Sequence, residues 1–61
     1  MNQRKLNTVL QMINDNINEQ RRNPPDSQAA TDAREENRRL FALLDSHGIE
    51  PTAELLGRVA A

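Results

Sequence analysis

The sequence predicts an all-α fold: an antiparallel helical hairpin, about 3–22 and 27–47, with a short third helix at about 51–59. Three observations carry this reading. Apolar residues recur at helical spacing through two long stretches, and no run alternates as a strand does. The pair Pro24–Pro25 interrupts the chain between those stretches. The stretches also match in length, roughly 30 Å each at ~1.5 Å per residue. A short stiff connection between matched rods is the pattern of a helical hairpin.

The first helix follows from Leu6, Val9, Leu10, Ile13 and Ile17, which form one stripe. Gln3, Asn7, Gln11, Asn14 and Asn18 lie off it. Asn2 is the expected cap, and Arg21 and Arg22 fall in the last turn, where positive charge complements the helix dipole. Asn23 precedes a proline, a position biased away from helical backbone.

The second helix has Asp26 or Ser27 as its expected N-cap, with Thr31 as an alternative start. Ala29, Ala30 and Ala33 favour the earlier start, because alanine is the best helix former. Its stripe is Ala30, Ala33, Asn37, Leu40 and Leu44, widened by Phe41 and Leu43. Gly48 supplies a left-handed stop. Glu35 and Glu36 are spaced to pair with Arg39. A turn centred on Pro24–Pro25 sets Leu10 opposite Leu40, and Ile17 opposite Ala33. The third helix is expected to begin with Pro51 at its first position. Leu55, Leu56 and Val59 form its apolar edge, Ile49 packs beside it, and the segment covers the open end of the hairpin.

Sixty-one residues predict a single small domain with few large apolar side chains. A homodimer is therefore expected, with Leu10, Ile13, Leu40 and Leu44 at the dimer core and Phe41 as a further candidate. No cysteine is present, so disulfides and thiolate metal sites are excluded. The N-terminal stretch has no apolar run of signal-peptide length, and no segment approaches the ~20 apolar residues of a membrane span. The expectation is a cytoplasmic protein without membrane contact. Net charge is −1 with the signs interspersed, which gives no general pull toward nucleic acid.

Catalysis is not expected, and neither is a cofactor or a metal. Asp45–Ser46–His47 has the residue types of a hydrolase triad, but consecutive helical residues point about 100° apart and do not converge. One histidine and no cysteine leave a zinc site short of ligands. Asp32, Glu35 and Glu36 read as a solvated first turn, and Asp15 and Glu19 have no histidine in reach. The second and third helices with their glycine turn resemble a helix-turn-helix in layout. However, Glu50 and Glu54 outnumber Arg58 there and oppose phosphate.

Seven of the eight cations are arginine, the residue suited to planar carboxylate and phosphate contacts. Arg34, Arg38 and Phe41 share one side of the second helix and form the expected partner-binding face. The functional expectation is a small regulatory or inhibitory protein acting by helix-face contact with a protein partner. Such a chain fits a small bacterial, phage or plasmid regulator. The alternative is a dimeric RNA- or DNA-binding regulator using Arg34, Arg38 and Arg39. Asn37 stands within an apolar stripe, either to set register or at the stripe's solvated edge.

Overall fold

The computed structural model describes residues 1–60, with side chains as far as Arg58. It consists of three helices, α1 (Gln3–Arg22), α2 (Gln28–Ser46) and α3 (Ala53–Ala60), and no strand among the described residues. α2 runs back along α1, as the matched lengths predict. The longest dimension, 34 Å, is close to the length of one rod.

Local chemistry fixes each end. The Asn2 side chain accepts from the Lys5 amide at 2.8 Å and opens α1. Asn23 closes it, donating from Nδ2 to the Glu19 carbonyl at 2.7 Å. Such side chains satisfy terminal backbone groups that have no partner inside the helix. Ser27 caps α2 by accepting from the Ala30 amide at 3.2 Å. The Ser27 hydroxyl donates in turn to the Pro24 carbonyl at 2.7 Å. Arg34 reaches back to the Pro25 carbonyl at 3.1 Å, so both proline carbonyls are held by α2.

At the other end of α2, Gly48 adopts φ 70°. The Ile49 amide donates to the Leu44 carbonyl at 2.9 Å and the Gly48 amide to the Asp45 carbonyl at 3.0 Å. These two bonds make a Schellman closure. They turn Ile49 back onto the core, where it packs against the cluster containing Leu44.

Two expectations need correction. Pro51 is not the first residue of α3. Thr52 is the cap, accepting from the Leu55 amide at 3.2 Å through Oγ1 and from the Leu56 amide at 3.0 Å through its carbonyl. A hydroxyl that binds an orphan amide outweighs the preference of proline for the first position. The hairpin register is also displaced by part of a turn. Asn37 contacts Asn16 and Ile13, so α1 and α2 meet with slightly higher-numbered partners than a turn centred on Pro24–Pro25 gives. The reason is that Ser27 folds back on Pro24, its amide donating at 3.0 Å, so the connection uses all of Asn23–Ser27.

The core is small. Val9, Leu10, Ile13 and Leu44 form the buried cluster, and Leu6, Ile17, Leu40, Ile49, Leu55 and Leu56 pack around it half-buried. Toward the loop, Ala30 and Ala33 are buried and let the two helices approach closely. α3 packs on α1 and makes no close approach to α2. The Asn14 amide latches it by donating to the Leu56 carbonyl at 2.7 Å. Val59, expected on the same apolar edge, lies outside the residues whose side chains are described. Among the described residues, no helix is long and apolar enough to cross a membrane.

The two glycines predict opposite responses to alanine. A Cβ at either position meets nothing within 4 Å, so only the backbone decides. Gly48→Ala is expected to destabilise the fold by about 1–2 kcal/mol through its left-handed φ. Gly57→Ala, within α3, is expected to stabilise by about 0.5–1 kcal/mol through helix propensity. Urea unfolding of the two variants checks the signs.

Candidate functional site

Arg34, Arg38 and Phe41 recur on α2 at i, i+4 and i+7, which places them on one flank. The structure brings all three into a single open groove of about 430 Å³ between α2 and α1. α1 contributes Ile17 and Gln20, and Asn37 completes the lining. Phe41 is 39% exposed and also borders a second depression with Ile49 and Pro51. Its ring therefore stands on the surface between the groove and the segment leading to α3.

The two arginines differ. Arg34 donates from Nη2 to the Pro25 carbonyl at 3.1 Å and to Thr31 Oγ1 at 3.3 Å. These bonds orient it along the groove wall. Arg38 is exposed and has no hydrogen-bond or ion-pair partner among the described residues. Its donors are free to meet an outside acceptor. A planar guanidinium beside an exposed aromatic ring suits a ligand with a carboxylate and an apolar group close together.

Asn37 is buried, 4% exposed, and does not lie at a solvated edge. Its Oδ1 accepts from Asn16 Nδ2 at 2.9 Å, and its Nδ2 donates to the Ile13 carbonyl at 3.4 Å. No buried side-chain polar atom lacks a partner among the described residues. The pair thus ties α1 to α2 at one fixed level, directly behind the groove.

The residues expected at a dimer core already pack within the single chain. Leu10, Ile13 and Leu44 are fully buried within one chain, and Leu40 is half-buried at the edge of their cluster. Ile49, Leu55 and Leu56 close over that cluster and remove it from the surface. The expected pairs of Glu35 and Glu36 with Arg39 do not form. The two ion pairs among the described residues are Arg22–Glu19 and Arg58–Glu54, both exposed. Exposed carboxylates and guanidinium groups remain well hydrated, so spacing alone gives little drive to pair.

In the Asp45–Ser46–His47 segment the Ser46 hydroxyl donates to the Leu43 carbonyl at 2.7 Å, and His47 caps α2 through its backbone. Asp15 accepts from Gln11 and Asp32 from Gln28. A larger depression, about 660 Å³, lies between α1 and α3 beside Asn7, Met12, Leu55 and Arg58. Its Gln3 and Asn7 amides bond each other at 2.9 Å. It holds no pairing of charge with an exposed ring such as the first groove has.

Sequence reasoning missed Ile17 and Gln20 as groove residues and Asn14 as the latch for α3. The first two are found only by pairing the helices. Asn14 carries a weak signal, because it is one step off the apolar stripe, where a half-buried amide is expected to find a partner.

No family model matches this chain, and no curated protein or solved structure matches it either.

The seam predicts a pH-dependent variant. Asn37→Asp buries a carboxylate near the Ile13 carbonyl, where a donor stood. Burial raises the folded-state pKa above the ~3.9 of the unfolded chain. The penalty is absent below that value, grows as pH rises through it toward the folded pKa, and is constant above both. The variant is expected to lose about 2–4 kcal/mol relative to wild type at pH 7 and to approach it below about pH 4. Paired urea titrations across pH measure the difference.

Proposed function

We propose that this chain is a non-enzymatic regulatory or inhibitory protein that works as a homodimer, binding a protein partner through the groove between α1 and α2. The observation that supports this reading is the convergence of Phe41, Ile17, Arg34 and Arg38 on one open surface. The occupant of matching chemistry is an acidic protein segment bearing at least one apolar side chain. Its carboxylate meets Arg38, with Arg34 alongside, and its apolar group covers Phe41 and Ile17. Energy at such surfaces concentrates on an aromatic anchor and neighbouring arginines.

Nucleic-acid binding is the second reading, favoured by Arg34, Arg38 and Arg39 on one helix. Helical spacing interrupts that basic face, because Glu35 falls between Arg38 and Arg39. The exposed Phe41 ring and Ile17 in the groove also offer apolar surface that a phosphate backbone does not use.

A photo-crosslinking residue at position 20, in the groove wall, tests the proposal in the native host. The expected adduct is an acidic, partly apolar protein segment, mapped by mass spectrometry, and Arg38→Glu is expected to abolish it. Phe41→Ala is expected to abolish capture while lowering stability by less than about 2 kcal/mol, against ~3–5 kcal/mol for a fully buried ring. Adducts to RNA or DNA that weaken steeply with salt would replace this reading with the second. Capture that survives both Arg38→Glu and Phe41→Ala would remove the groove from consideration.

A further inference from the structure

Opposite the groove, the hairpin has a second flank, and its residues repeat one spacing on both helices. On α1 it carries Lys5, Val9, Met12 and Asn16; on α2 it carries Glu36, Leu40, Leu43 and His47. Each set runs i, i+4, i+7, i+11, which keeps it on one side of its helix. The Asn16–Asn37 bond puts Asn16 and Glu36 at the same level. One turn on, Met12 lies level with Leu40. A further turn brings Val9 level with Leu43, and at the open end Lys5 is level with His47. The middle of this flank holds an apolar patch that is poorly covered, with Met12 39% exposed, Leu43 36% exposed and Leu40 half-buried, and the exposed Arg39 stands at its margin between Glu36 and Leu43. α3 does not close over it on the α2 side, since α3 packs only on α1. The charged ends differ in sign, and neither Lys5 nor Glu36 has an ion-pair partner among the described residues.

We propose that this flank is the face on which a second copy of the chain docks, with the two-fold axis lying in the interface and running across the helices. That operation stacks two hairpins end for end. Leu40 then lies over Leu43 of the second copy and Met12 over the level of Val9, whose side chain is already buried in its own chain, so the exposed apolar contact is carried by Leu40, Leu43 and Met12 and repeats in both copies, as an isologous contact requires. It also sets Lys5 over Asn16 of the second copy and Glu36 over His47 of the second copy, with Lys5 of each copy at the level of Glu36 of the other, one helix across. A two-fold parallel to the helices sets Lys5 over His47 of the second copy and Asn16 over Glu36 of the second copy, leaving both charges without opposites. Charge complementarity therefore selects the crosswise axis. The resulting four-helix core adds cover to Leu40 and Leu43, and both Phe41 grooves remain outside it. The inference rests on the reading of the chain as a homodimer and supplies the surface that reading needs.

Sedimentation equilibrium tests it. Wild type is expected to be dimeric at micromolar concentration. Met12→Glu and Leu43→Glu are each expected to raise the dimer dissociation constant by about 30-fold or more, the scale of an interface hot spot. Lys5→Glu is expected to weaken the dimer by on the order of ten-fold at low salt, and Lys5→Glu with Glu36→Lys to restore it. The charge swap also settles any case in which an apolar-to-glutamate variant fails to fold. A wild-type monomer overturns both the inference and the homodimer reading. A dimer that survives Met12→Glu and Leu43→Glu, or a swap that does not restore it, overturns this face alone. A dimer lost only on Phe41→Ala transfers the contact to the groove and leaves the homodimer reading standing.

Discussion

One stripe on α1 holds the molecule together. Leu10 and Ile13 are fully buried, and the elements that bury them come from both sides: Leu44 from α2, and Leu55 and Leu56 from α3. α2 and α3 do not approach each other closely, so among the three helices α1 is the one that both others pack against. With three large side chains completely removed from water among the described residues, the hydrophobic drive is modest for a chain of this size. Specific caps and polar ties accordingly carry a large share of the definition. Asn2, Asn23, Ser27 and Thr52 each bind a terminal backbone group that no helix can satisfy internally.

Asn37 has the same logic inside the seam. A leucine there would bury more apolar surface, yet an amide bonded to Asn16 and to the Ile13 carbonyl has one acceptable level. An apolar stripe tolerates sliding by a turn, whereas a buried amide displaced by a turn loses its partners and bears the desolvation penalty. The groove depends on this choice. Ile17 and Gln20 line it with Arg34, Arg38 and Phe41 only in the register that Asn37 enforces.

The two flanks of the hairpin then acquire different character. One carries an exposed ring next to a free arginine, with a pinned arginine beyond it, in a groove open to solvent. The other carries an apolar middle between opposite charges. In the proposed dimer the second flank is covered and the first stays exposed, so the proposed assembly and the proposed partner binding use different residues. Pinning Arg34 to the Pro25 carbonyl also links the interhelical connection to the groove wall, which gives the diproline turn a role in positioning as well as in reversal.

Much of this architecture is written locally. The sequence by itself determined the three helices, their ends near Asn2, Ser27 and Gly48, and the reversal at Pro24–Pro25, because capping, propensity and proline geometry act over four or five residues. It also placed Arg34, Arg38 and Phe41 together, since helical spacing alone decides which residues share a flank. The tertiary structure decided what no single helix encodes. It chose Thr52 over Pro51 as the start of α3, and the level at which Asn37 meets α1. It also assigned Leu10, Ile13 and Leu44 to the chain's own interior. The physical reason is common to all three: burial belongs to pairs of surfaces. An apolar residue on one helix becomes core or interface only when another element reaches it, and Ile49, Leu55 and Leu56 reached these first.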